Sequence, residues 1–141
     1  MSAHRVWKIG THEATMESPN LLRLRFRGAT SLEDCIRLTE LYQEVSRQQP
    51  FVLVADMREG TTSDAEGRRY ISEHFKSEWF VDAVFIGTRL VNKASLKGLA
   101  LVHHQDPSHD DPWQRFHFVS SEEEAFALLG RLQVARMERV A

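Results

Sequence analysis

Residues 51–75 read FVLVADMREGTTSDAEGRRYISEHF. An unbroken apolar run, Phe51–Ala55, meets Asp56; a Gly/Thr/Ser turn follows, and Ser63 with Glu66 three residues on writes the capping box that opens a helix. A buried strand feeding a capped helix through a short polar loop is half of a βαβ unit. It places Thr61, Thr62, Ser63 and Asp64 at a strand's carboxyl edge, where open α/β folds keep their working surfaces. The helix beyond turns Ile71, Phe75 and Trp79 inward.

Towards the N-terminus, Leu22, Leu24 and Phe26 alternate with Arg23, Arg25 and Arg27, which predicts a half-buried strand that Gly28 stops. Arg5–Ile9 and Ala14–Met16 supply weaker strands before it. Thr30 and Glu33 form a capping box for a helix with Cys35, Leu38, Leu41, Tyr42 and Val45 at helical spacing, and Pro50 ends that connection. Towards the C-terminus, Ala83–Gly87 is a short apolar strand and Lys93–Val102 a helix. Arg115–Val119 is a strand with Phe116 and Phe118 inward. Ser120 and Ser121 before Glu123 and Glu124 cap a last helix, whose apolar face is Phe126, Leu128, Leu129 and Leu132.

This order, β-β-β-α-β-α-β-α-β-α with the hairpin's second strand the weakest, predicts an α/β domain spanning residues 1–141. Its sheet is mainly parallel with an antiparallel N-terminal edge. Right-handed crossovers between neighbouring strands put the helices chiefly on one sheet face. The other face is then only partly covered, which accounts for arginines alternating along Leu22–Phe26.

At 141 residues and net charge −2, the chain has no global field to recruit nucleic acid or an anionic membrane. Fourteen of its 18 basic residues are arginine, so local arginine clusters matter more than net charge. Cys35 is the only cysteine, which excludes an intrachain disulfide and the Cys-rich zinc patterns. Residues 1–10 lack the apolar core of a signal peptide, and no window approaches a membrane span. A cytoplasmic protein is expected.

Hairpin, helix and three further strand–helix units, with the Asp56 strand end, the loop Asp64 and Gly67 at the start of a helix, resemble the STAS domain, the SpoIIAA-like fold of anti-sigma-factor antagonists. The C-terminal stretch FHFVSSEEEAFALLGRL (residues 116–132) resembles the stand-alone SpoIIAA-like proteins of bacteria. The resemblance implies β-β-α-β-α-β-α-β-α topology and a module working through protein contact. It also implies a phosphoacceptor serine where this chain has Ala65, which argues against the family's phospho-switch; Ser63 or Thr62 would be offset acceptors.

Other constellations are weighed on their chemistry. His103, His104 and His109, with Asp106, Asp110 and Asp111, form a loop that could hold a divalent ion, but no helical spacing fixes a ligand geometry, so a solvated loop is preferred. Residues 60–63 resemble a phosphate-cradling loop, yet no lysine is present, and Asp64 and Glu66 place negative charge where an anion would sit. Cys35, on an apolar helix face with no histidine beside it, reads as inert filling. Trp79, Phe80 and Trp113 are either core or docking anchors.

No catalytic set assembles, and no cofactor is implied. The expectation is a non-enzymatic regulatory or protein-interaction module docking through Asp56, Arg58, Thr61, Thr62, Ser63 and Asp64. Its partner would be a protein such as a regulatory kinase or an anti-sigma-like protein, and a homodimer is expected. The alternative is a small-molecule or lipid carrier of Sec14-like kinship, which requires an apolar pocket between helices and sheet.

Overall fold

The computed structural model describes residues 5–18, 20–88 and 115–140. In chain order these form β1 (Arg5–Ile9), β2 (His12–Ser18), β3 (Leu21–Thr30), α1 (Leu32–Ser46), β4 (Phe51–Ser63) and α2 (Ala65–His74). A 3-10 turn (Ser77–Trp79), β5 (Phe80–Ile86), β6 (Phe116–Val119) and α3 (Glu122–Val140) follow. The strands make one sheet in the order β1-β2-β3-β4-β5-β6. β1, β2 and β3 pair antiparallel, while β3, β4, β5 and β6 pair parallel. The mainly parallel sheet with an antiparallel N-terminal edge is therefore present. The helix predicted over 93–102, Trp113 and the histidine loop lie outside the described residues.

Three predicted boundaries move. Gly28 does not stop β3: it takes φ +73 and is absorbed where the β3–β4 register shifts, so the strand runs on to Thr30. α1 is capped one residue later than expected. Ser31 accepts from the Asp34 N–H at 3.1 Å, and Asp34 reaches back to the Ser31 N–H at 3.1 Å. β4 is far longer than Phe51–Ala55, because pairing with β3 continues through Arg27–Glu59, Gly28–Gly60 and Thr30–Ser63.

α1 and α2 cover one face of the sheet, as right-handed crossovers between adjacent parallel strands require. Beneath them lie Leu22, Leu24, Phe51, Leu53, Phe80 and Phe116, all buried, with Leu38 of α1 packed onto them. Trp79 and Phe80 belong to this core, at 7% and 3% exposure, so neither is a docking anchor. They follow α2 rather than end it.

α3 packs on the opposite face, against Val54, Val84 and Ile86, with Ala125, Leu128 and Leu129 as its contacts. The helices thus lie chiefly, not wholly, on one face: α1 and α2 share it and α3 takes the other. The handedness rule binds a helix between two strands; α3 has no strand after it among the described residues, and the valine–isoleucine stripe needs cover. Phe126 is not on the packed side: it is 41% exposed and lies 5.6 Å from the Arg23 guanidinium. Arg23 also pairs with Glu17 at 3.2 Å and with Glu122.

Candidate functional site

The segment expected to be a docking loop is the far end of β4. Arg58, Glu59, Thr61, Thr62 and Asp64 are exposed along it, and Ser63 is half-buried. Ser63 is not the N-cap of α2. That position belongs to Asp64, in extended geometry, whose side chain caps no N–H of its own helix. Instead the Asp64 carboxylate accepts the Leu32 N–H of α1 at 3.2 Å, while the Asp64 N–H donates to the Thr30 carbonyl at 3.1 Å. One aspartate thus satisfies a first-turn N–H of the neighbouring helix, which that helix cannot satisfy itself. Ser63 is held by Arg68 instead, whose Nη1 donates to the Ser63 carbonyl and lies 3.3 Å from its hydroxyl.

Asp56 and Arg58 lie together on the face opposite α1 and α2. Asp56 is 4% exposed and accepts from Arg58 Nη2 at 2.7 Å, from Arg58 Nε at 3.0 Å and from the Arg58 N–H at 3.1 Å. These bonds hold its carboxyl below the usual carboxylate range. Arg25 stands 3.9 Å away, and Arg27 pairs with Glu59 at 3.4 Å. The arginine stripe read from the sequence is therefore matched by carboxylates and is not a free anion surface. Asp56 and Arg58 also point away from the α1–α2 side, so the structure does not gather all six predicted docking residues into one patch.

Between α1, α2 and the sheet is a cavity of about 250 Å³. Leu53, Ala55 and Met57 of β4 form its floor, while Leu38 and Tyr42 of α1 and Ile71 and Phe75 of α2 form its walls. Thr61, Thr62, Ser63 and Arg68 line it at the end where β4 turns into α2. Three of the predicted docking residues are thus lining residues of a largely apolar cavity. An engineered apolar cavity of about 150 Å³ admits benzene, and pockets for drug-sized ligands start near 300 Å³. This volume falls between the two.

Cys35 also lines the cavity; burial pushes its thiol up to about 11, with Asp34 and Asp64 adding to the shift. A thiol so held is not a nucleophile at neutral pH. Tyr42 was read from the sequence only as an apolar-face residue. Burial raises its phenol well above the ordinary value. On the opposite face His117 Nε2 lies 3.0 Å from Asp82 Oδ1, a pair joined by the β5–β6 register that no local motif announces. Among the described residues no group of three or more His, Cys, Asp or Glu could hold a metal; His103, His104 and His109 lie outside them.

No family model matches the chain, and a comparison with curated proteins finds no relative. Solved structures do match. An uncharacterized protein of the DUF3478 family with a SpoIIAA-like fold, from Shewanella loihica PV-4, superposes with a TM-score of 0.54 at 14% identity. The match covers 90% of this chain and 92% of that one. The anti-sigma factor antagonist SpoIIAA in its unphosphorylated form superposes with a TM-score of 0.53 at 9% identity, over 90% of this chain and 97% of that one. The fold is SpoIIAA-like. At these identities the likeness is one of architecture. Within the SpoIIAA-like frame, the cavity lies under the two helices that follow β3 and β4, and Ala65 is the first residue of α2. No helix among the described residues is long and apolar enough to cross a membrane.

Proposed function

We propose that this SpoIIAA-like chain is a non-enzymatic, cytoplasmic module that acts by binding, with a protein partner docking where β4 meets α2. The observation that carries this reading is the exposed row Thr61, Thr62 and Asp64 at the sheet's carboxyl edge, held rigid by Asp64 bridging to α1. Rigid backbone with exposed polar side chains suits recognition, because little ordering entropy is lost on docking. The SpoIIAA neighbour is an anti-sigma factor antagonist; by analogy the partner here is an anti-sigma-like protein or a regulatory kinase. With alanine at position 65, any phosphate would go to Thr62, which is exposed, or to Ser63, which Arg68 already engages.

The test is affinity capture with the wild-type chain and a Thr62→Arg/Glu66→Arg variant, followed by phosphate mapping. A partner kept by the wild type and lost by the variant supports docking at this edge. A partner kept by both puts docking elsewhere.

A second reading, a small-molecule carrier, rests on the cavity. A fully packed core would have removed it; about 250 Å³ between helices and sheet favours it. Native mass spectrometry of the purified chain tests both readings at once, since it reports retained ligand and subunit number, including the expected homodimer.

A further inference from the structure

The cavity has a chemical polarity that goes beyond its being apolar. Its walls are mainly aliphatic and aromatic, and among the described residues no acidic side chain lines it. Arg68 is the single charged lining residue among those described. Its recorded hydrogen bonds both come from Nη1, to the Ser63 carbonyl and hydroxyl, and it forms no ion pair among the described residues. Its other N–H donors have no hydrogen-bond acceptor among the described residues. The carboxylates near this end are committed elsewhere: Asp64 to the Leu32 N–H, and Asp34 to the Ser31 N–H beside the β1–β2 turn. Glu66 is exposed and does not line the cavity.

We infer that the cavity binds a small amphiphilic monocarboxylate, its head on the Arg68 guanidinium and its alkyl or aryl body between Leu38, Tyr42, Ile71 and Phe75. The assignment rests on the carrier reading and adds the ligand's charge. A guanidinium suits a carboxylate because its parallel N–H groups match two oxygens. The volume limits the body to somewhat more than a benzene ring. Tyr42, a lining residue, offers one further polar group along the body. A cationic head finds no counter-charge among the described lining residues.

The test titrates the full chain calorimetrically at neutral pH with octanoate, 1-octanol and octylamine, which share one body and differ in the head. Methyl NMR of Leu38, Leu53 and Ile71 locates the site. Octanoate should bind on the order of tenfold tighter than octanol, the worth of one charge-assisted contact. Octylamine should bind weakest, and the methyl shifts should fall on those three residues. Arg68→Gln should reduce octanoate to the affinity of octanol and leave octanol unchanged; as a surface change it should fold normally, which circular dichroism checks. If octanol binds as tightly as octanoate, or if Arg68→Gln weakens both alike, the head-group assignment is overturned while the carrier reading stands. If none of the three binds, or the shifts fall elsewhere, both are overturned.

Discussion

Gly67 of α2 lies directly against Cys35 of α1: a Cβ on Gly67 would stand 2.7 Å from the Cys35 sulfur and 3.4 Å from its Cβ. Only a residue without a side chain permits that approach, and the approach closes the helix pair beside the cavity. Gly67→Ala should therefore cost about 1–3 kcal/mol by overpacking, against about 1 kcal/mol gained in helix propensity. Adding Cys35→Ala should recover most of the loss. Thermal denaturation of the two variants decides it; a single variant as stable as the wild type would show that the contact yields without strain.

The bridge between helices makes a discriminating pair. Asp64→Ala removes the acceptor of the Leu32 N–H and should cost about 1 kcal/mol, the usual worth of a helix cap. Ser63→Ala should cost much less, since its hydroxyl makes only the long contact to Arg68. Equal melting temperatures for the two variants would count against the bridge.

His12 makes the fold sensitive to mild acid. Its ring is fully buried, Nδ1 accepts the Arg27 N–H at 2.9 Å, and Nε2 lies 3.2 Å from the Thr30 hydroxyl. Burial lowers its pKa below 6.5, although Asp34, 3.7 Å away, works in the opposite direction. The unfolded chain therefore takes up the proton first. Stability is complete above pH 6.5 and declines as pH falls from there through the folded value. Urea denaturation at several pH values should show this slope for the wild type and a flatter one for His12→Asn.

Arg58 should matter more than an exposed surface arginine. Its two side-chain hydrogen bonds to a buried carboxylate disappear in Arg58→Met, while the backbone N–H bond stays, at a cost of about 1–3 kcal/mol. Because those bonds depress the Asp56 pKa, their contribution is present above the ordinary carboxylate value and lost as pH falls through the depressed one. The variant's acid unfolding should begin at higher pH than the wild type's, as a pH titration followed by tryptophan fluorescence would show.

Patterns carried by neighbouring residues were legible in the sequence. The alternation of Leu22, Leu24 and Phe26 with arginines marked β3 and its buried face, and the apolar runs marked β4 and β5. What could not be read depends on contacts made across the fold. β4 continues past Met57 because β3 pairs with it there, although those residues no longer alternate. The α1 cap moved by one because Thr30-Ser31-Leu32-Glu33-Asp34 contains two overlapping boxes, and Asp34 is the acid that closes one. α3 chose its face by the apolar Val54–Val84–Ile86 stripe, on which no crossover rule speaks. The cavity had no local signature, since it exists where side chains from α1, α2 and the sheet fail to meet.

β4 serves two compartments by turns. Leu53, Ala55 and Met57 face the cavity, while Val54 and Asp56 between them face α3 and the arginines. Because a strand's side chains change sides at every residue, the cavity and the outer charged surface are encoded one position apart. Either can drift in sequence without disturbing the other. A shift of β4 along its own axis, however, would be felt on both sides at once. Were the cavity filled, this strand would be the element through which the outer face feels it.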